Sequence, residues 1–180
     1  ESNNKVLVGH ADETLPRGGI GVSSQVNMGS EHEPEMIQRM GELNRQALHT
    51  DLPAFGMVYA RGPNLNHQEG DKTKSQAHAV RLAFELGCDA AKCVWTGDEA
   101  SFTEVAKSAP IPLLMAGGPS NDDTRSVLAM VESALNAGAS GVCMGRQVFA
   151  HPNPGAMAKA LVMMVHNGAS AASAMEACNL

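Results

Sequence analysis

Aromatic side chains are scarce: they make up 3% of the 180 residues, with one Tyr and one Trp. A platform that stacks the bases of single-stranded nucleic acid needs more of them. Cations are outnumbered, with 13 Lys and Arg against 19 Asp and Glu and a formal net charge of −6. No basic stripe is left to follow a phosphate backbone, so nucleic acid is excluded as the expected partner. A local site can still hold a small anion against the global charge. The four cysteines (Cys88, Cys93, Cys143 and Cys178) form no C-x-x-C pair, and the seven histidines form no H-x-x-x-H pair. No metal site is therefore expected, and the thiols read as small hydrophobes of a reducing compartment. No G-x-S-x-G is present, which argues against an esterase elbow. The run "LVMMV" is far too short to cross a bilayer. The opening "ESNNKVLVGH" lacks the basic-then-apolar order of a secretory leader. The expected location is cytoplasmic, with no membrane partner.

What is present is alternation. Short apolar runs at 19–29, 53–62, 89–95, 111–118 and 140–145 are separated by amphipathic segments at about 33–49, 71–87, 98–108, 121–138 and 154–166. The terminal "SAASAMEACNL" predicts one more short helix. Asp98 in "GDEASF" is placed to cap a helix, and "SNDDTRS" to begin one with acidic residues in its first turn. Gly87 and Gly138 are placed to end two others. Strands alternating with helices at this spacing predict βαβ units and a parallel sheet, in one domain over residues 1–180. The pattern fits either a doubly wound sheet or a (β/α)8 barrel, and five strands are too few to close the latter.

Three stretches can carry chemistry. "MAGGPSNDD" places Gly117 and Gly118 at the end of one strand, and "VCMGRQVF" places Gly145 and Arg146 at the end of the next. Glycines let a backbone approach a ligand and expose its N–H groups. Two neighbouring loops of this kind, with a guanidinium on one, favour a phosphate site over simple turns. Lys92 stands inside the apolar run "DAAKCVW". Burial disfavours an ammonium, and a neutral amine can attack a carbonyl. The alternative is a lysine that snorkels to the rim or pairs with Asp89. Tyr59, the only tyrosine, ends the preceding strand in "MVYARG" and can relay a proton, unless it is a core-edge residue with its hydroxyl in water. Arg61 points the same way while the strand lasts and can hold a second anion. His78 and His166 fall in helical segments and read as packing or surface residues.

These residues in this order, in "VNMGSEHEPEM", "MVYARGP", "ELGCDAAKCVWTGD", "PIPLLMAGGPSNDD" and "AGASGVCMGRQVFAHPNPGAMAKAL", resemble the DhnA-type class I aldolases. That family includes archaeal-type fructose-bisphosphate aldolases and 2-amino-3,7-dideoxy-D-threo-hept-6-ulosonate synthases. The resemblance implies a (β/α)8 TIM barrel. It makes Lys92 the Schiff-base lysine and Tyr59 the general acid/base. Arg61, Gly117, Gly118, Gly145 and Arg146 become substrate- and phosphate-binding residues. It implies a sugar-phosphate substrate, no cofactor or metal, and a homo-oligomer. Cleavage of fructose 1,6-bisphosphate, as in glycolysis, is the first expectation. The synthase reaction of an aromatic amino acid pathway is the alternative, and a phosphate-binding half-barrel without Schiff-base chemistry, or an inactive fragment, the second. The chain departs from the family pattern at Ala60, where proline is usual, at Gln147, where asparagine is usual, and at Cys93 and Trp95. The family's first three strands have no counterpart, so the chain is expected to begin near the third helix and to cover strands four to eight.

Overall fold

The computed structural model describes residues 3–65, 72–118 and 123–180. Position 71, where the helix expected over 71–87 begins, and positions 119–122 of "PSNDD" lie outside the described residues. Five strands alternate with helices: β1 (Val22–Met28), α1 (Glu33–His49), β2 (Ala54–Ala60), α2 (Thr73–Glu85), β3 (Ala90–Val94), α3 (Glu99–Lys107), β4 (Leu113–Ala116), α4 (Thr124–Asn136), β5 (Gly141–Cys143), α5 (Arg146–Phe149), α6 (Pro154–Asn167) and α7 (Ala171–Cys178). All five strands are parallel, in the spatial order β1-β2-β3-β4-β5. A doubly wound sheet reverses its strand order at a switch point, and this sheet does not. Among the described residues no strand pairs with the outer edge of β1 or of β5. Beside the β1 edge Val6, Val8 and Ile20 are 60%, 96% and 88% exposed.

One face of the sheet is dry. Val26 and Met28 of β1, Val58 of β2, Ala91 and Cys93 of β3, and Leu113 and Met115 of β4 join one apolar core with Met36, Met40, Ala79, Val80, Ala83, Phe102, Val105 and Leu128 of the helices. In α1 the buried Met36, Met40, Leu43 and Ala47 recur at helical spacing and form a single stripe. Gly56 marks where α2 comes closest. A Cβ there would lie 2.8 Å from Cys88 Sγ and 3.2 Å from Ala83 Cβ. The opposite face of β3 carries Ala90, Lys92 and Val94, all only half-buried.

The helix ends follow local chemistry. Asp98 caps α3 by accepting from the Ser101 backbone N–H at 2.9 Å. Gly87 and Gly138 adopt φ of 85° and 107° after α2 and α4, a region a glycine enters at no steric cost. At "SNDDTRS" the structure differs from expectation. Helix α4 begins only at Thr124, with Asp123 as its cap and no acidic residue in its first turn. At the other end, Ala11–Glu13 and Leu15–Arg17 form two 3-10 turns, the second stopped by Gly18 at φ 77°.

Cys93 is fully buried, and that burial pushes its thiol from 9.0 up to about 12. Burial also raises Cys88, an effect partly countered by the hydrogen bond from Asn44. A raised folded-state value means that the fold holds the thiol proton more tightly than the unfolded chain does. The resulting stability is full below pH 9 and is lost as pH climbs toward 12. At about 1.4 kcal/mol per pH unit the loss for Cys93 reaches about 4 kcal/mol. Urea titrations between pH 8 and 11 are expected to show this alkaline decline, and Cys93→Ala to flatten it.

Candidate active site

Register decides which side chains meet. Met57 of β2 pairs with Lys92 of β3, and Lys92 pairs with Leu114 of β4. Tyr59, two residues beyond Met57, therefore shares a face with Lys92. Their Cα atoms are about 8 Å apart by strand spacing and rise. Among the described residues Lys92 has no ion pair or hydrogen bond. Asp89 is engaged elsewhere: its Oδ2 accepts from the Ala54 backbone N–H at 2.7 Å. The pairing that would have made Lys92 a structural residue is thus absent there.

Tyr59 is 8% exposed. The Arg61 guanidinium lies over its ring, with Cζ 4.0 Å from the centroid. A cation on a π-face is worth roughly 0.5–2 kcal/mol and fixes both groups. Arg61 is further held by its chain. Arg61 N–H and Gly62 N–H both donate to Met28 O, at 3.3 and 2.8 Å, and Asn64 N–H donates to Gly29 O at 3.0 Å. The loops after β1 and β2 are thereby laced together, and Glu33 Oε2 accepts from Gly29 N–H at 2.6 Å.

The two glycine loops also lie side by side. Ala116 pairs with Cys143, so Gly118 and Gly145, each two residues further on, stand at one level above β4 and β5. Arg146 Nη2 donates to Gly118 O at 3.2 Å, and Gln147 Nε2 donates to Gly117 O at 3.0 Å. Gly117 has no room for a side chain, since a Cβ would come within 2.8 Å of Met144 Cγ. Gly118 has φ 67°. Gly118, Gly145 and Arg146 are exposed, whereas Gln147 is 6% exposed. A further tie joins the same elements: Thr124 Oγ1 lies 2.9 Å from His151 Nε2, while His151 Nδ1 accepts from Asn153 N–H at 3.0 Å. Gly118 sits four residues above the level of Lys92 and one strand across, about 14 Å between Cα atoms. An extended lysine arm, a ketone carbon and a phosphate together bridge a gap of that order.

All seven residues singled out in the sequence therefore fall at one end or on one face of the sheet. His78 in α2 and His166 in the last turn of α6 are exposed. Gln147 was visible only as a departure from the family pattern, and its clamp on Gly117 appears only in three dimensions. Gln25 and Asn27 of β1 were not anticipated. They lie on the Lys92 face, opposite Met57 and Tyr59. Among the described residues no group of His, Cys, Asp and Glu could hold a metal ion, and no helix is long and apolar enough to cross a membrane.

Residues 1–151 match the model of the DeoC/LacD family of aldolases. The chain is 37% identical to the 2-amino-4,5-dihydroxy-6-oxo-7-(phosphonooxy)heptanoate synthase of Streptomyces griseus, over 97% of its own length and 63% of that protein's. It is 34% identical to the 2-amino-3,7-dideoxy-D-threo-hept-6-ulosonate synthase of Halobacterium salinarum, over 100% and 66%. The chain thus spans slightly under two thirds of these relatives. Among solved structures it is similar to an archaeal fructose-1,6-bisphosphate aldolase whose catalytic Lys is covalently bound to the carbinolamine intermediate of the substrate. The TM-score is 0.83 and the identity 32%, over 91% of this chain and 66% of that one.

Proposed function

The chain belongs to the DeoC/LacD family of aldolases, and on that premise we propose that it forms or cleaves a carbon–carbon bond in a phosphorylated ketose through a Schiff base on Lys92. The observation that carries this reading is an amine with no ion-pair partner among the described residues, on the open face of a parallel sheet. The buried Tyr59 stands on the same face one strand away. The five strands form part of the wall of an eight-stranded barrel, a domain running through residues 1–180.

The mechanism follows from position. Lys92 Nζ adds to the ketone carbon, and the carbinolamine loses water to give an iminium. The iminium acidifies the neighbouring carbon, which passes its proton to Tyr59 as the base and leaves an enamine. The enamine carbon then attacks an aldehyde, and the aldehyde oxygen takes a proton through Tyr59 Oη. Water hydrolyses the product iminium and returns the amine. Cleavage is the reverse. The phosphate lies against the Gly117–Gly118 and Gly145 backbone and the Arg146 guanidinium. Arg61 faces the other end of the substrate. Gln147 acts through Gly117 as a positioning residue. Gln147→Ala is expected to raise KM for the phosphorylated substrate about fivefold with kcat little changed, the worth of about one hydrogen bond. An equal loss in kcat would contradict that role.

The sequence alone placed fructose 1,6-bisphosphate first, but the names of the curated relatives fit the synthase alternative better. We therefore favour a seven-carbon 2-amino-6-oxo acid as product. Its aldol bond joins a dihydroxyacetone phosphate unit, or its deoxy counterpart, to 2-amino-4-oxobutanoate. Fructose 1,6-bisphosphate is the second reading, favoured by the solved archaeal aldolase. Incubation with dihydroxyacetone phosphate and either 2-amino-4-oxobutanoate or glyceraldehyde 3-phosphate separates the two. Condensation with the amino aldehyde alone is expected, and condensation with glyceraldehyde 3-phosphate alone would overturn the preference.

A further inference from the structure

The phosphate loops lie on the β4–β5 side of Lys92. A ketose bound there through its phosphate must run the other way from its ketone, across β2 toward β1. On β1 the residues that share the Lys92 face are Ser23, Gln25 and Asn27. Gln25 is level with Met57 and, through it, with Lys92. Two strand spacings put its Cα about 10 Å from that of Lys92, within the length of a seven-carbon chain and its side-chain partners. Asn27, level with Tyr59, is fully buried. Its Oδ1 accepts from Gln25 Nε2 at 2.8 Å, and its Nδ2 donates to Asn3 O at 3.2 Å.

This short chain of amides orients Gln25. Its Nε2 is committed to Asn27, and its Oε1 is left as an acceptor with no partner among the described residues. An open acceptor recognises a donor. The surroundings narrow the choice. Gln25 borders a cleft of about 310 Å³ along the β1 edge that also carries Lys5, Arg17, Arg39 and the carboxylate of Glu13, the last paired with Arg17 at 3.9 Å, and Arg61 stands over Tyr59 on the neighbouring strand. With Glu13 taken up by Arg17, Lys5, Arg39 and Arg61 leave an excess of positive charge that disfavours a simple amine. An α-amino carboxylate suits both features, its carboxylate facing the cations and its ammonium the amide oxygen.

We propose that Gln25, held by Asn27, is a specificity-determining residue that accepts a hydrogen bond from the α-ammonium of an amino-acid aldehyde. The assignment rests on the Schiff-base reading above and deepens it. The aldehyde 4-oxobutanoate differs from 2-amino-4-oxobutanoate only in lacking the amino group, so the pair isolates this contact. The test measures kcat/KM for condensation of each with dihydroxyacetone phosphate, in the native protein and in Gln25→Leu. Borohydride trapping of the ketone half on Lys92 serves as a parallel control. The native protein is expected to prefer the amino aldehyde tenfold or more, the effect of one charge-assisted hydrogen bond. Gln25→Leu should lose that preference while keeping its rate with 4-oxobutanoate and its Lys92 adduct. An equal fall with both aldehydes would show a merely structural role and overturn the proposal, as would a preference that survives the substitution. Absence of the adduct in the native protein would instead overturn the Schiff-base reading, and the assignment with it. Adduct formation with neither amino nor plain aldehyde condensed would overturn the assignment alone.

Discussion

Lys92→Met is expected to lower turnover by at least roughly 10⁴-fold, the scale on which removal of a covalent nucleophile acts. Methionine keeps the length and unbranched shape of the lysine stem, so packing against β2 and β4 is retained and the fold should lose under about 1 kcal/mol. Lys92→Arg should be as inactive as the methionine variant. A guanidinium stays charged and has no free electron pair to add to a ketone. A lysine that served only to attract substrate charge would be replaced well by arginine, so the arginine variant separates covalent from electrostatic roles. Steady-state assays with thermal melts of both variants decide the matter. Full activity in either would contradict the assignment.

The second large effect is expected at Gly62. A Cβ there would sit 1.8 Å from the Gly29 carbonyl carbon and 2.1 Å from both Gly29 O and Ser30 N. All three are backbone atoms and cannot rotate away. The lace between the β1 and β2 loops would have to open, with loss of the Gly62 N–H bond to Met28 O at 2.8 Å. Overpacking alone costs about 1–3 kcal/mol where neighbours can yield, and here they are main chain. Gly62→Ala should therefore destabilise by about 3 kcal/mol or more in urea titration, and it should also displace Arg61 from the Tyr59 ring. A loss below about 1 kcal/mol would show that the loops are not tied as described. At Gly41, inside α1, the nearest contact for a Cβ is Leu86 Cδ2 at 4.0 Å, so alanine there serves as a tolerated comparison.

Much of this was legible in the sequence because its signals are local. The runs and amphipathic segments located all five strands and the helices from α1 to α4 and α6, the terminal stretch located α7, and α1 was bounded to the residue. Its apolar stripe and flanking residues lie within its own seventeen positions. That Arg61 points the same way as Tyr59 followed from strand alternation, whereas the face Tyr59 shares with Lys92 needed the pairing of Met57 with Lys92. What escaped depends on pairing register or on backbone proximity. Gln25 and Asn27 look like ordinary polar strand residues until register aligns them with Met57 and Tyr59. Gly62 reads as a turn glycine, and only its contact with Gly29 shows why a side chain is forbidden. Four-residue α5 is too short to generate a periodic pattern. The acidic first turn expected for α4 failed because Asp123 became the cap, its carboxyl held low mainly by the hydrogen bond from Ser126. The order of the two substrates was also not legible, since the lysine, the tyrosine and the glycine loops serve either one.

The most direct test is to incubate the protein with dihydroxyacetone phosphate and sodium borohydride and to map the adduct by peptide mass spectrometry. A reduced imine confined to the peptide carrying Lys92, and absent from Lys92→Met, is the predicted result. An adduct on a different lysine, or none while the protein turns the ketose over, would contradict covalent catalysis at Lys92.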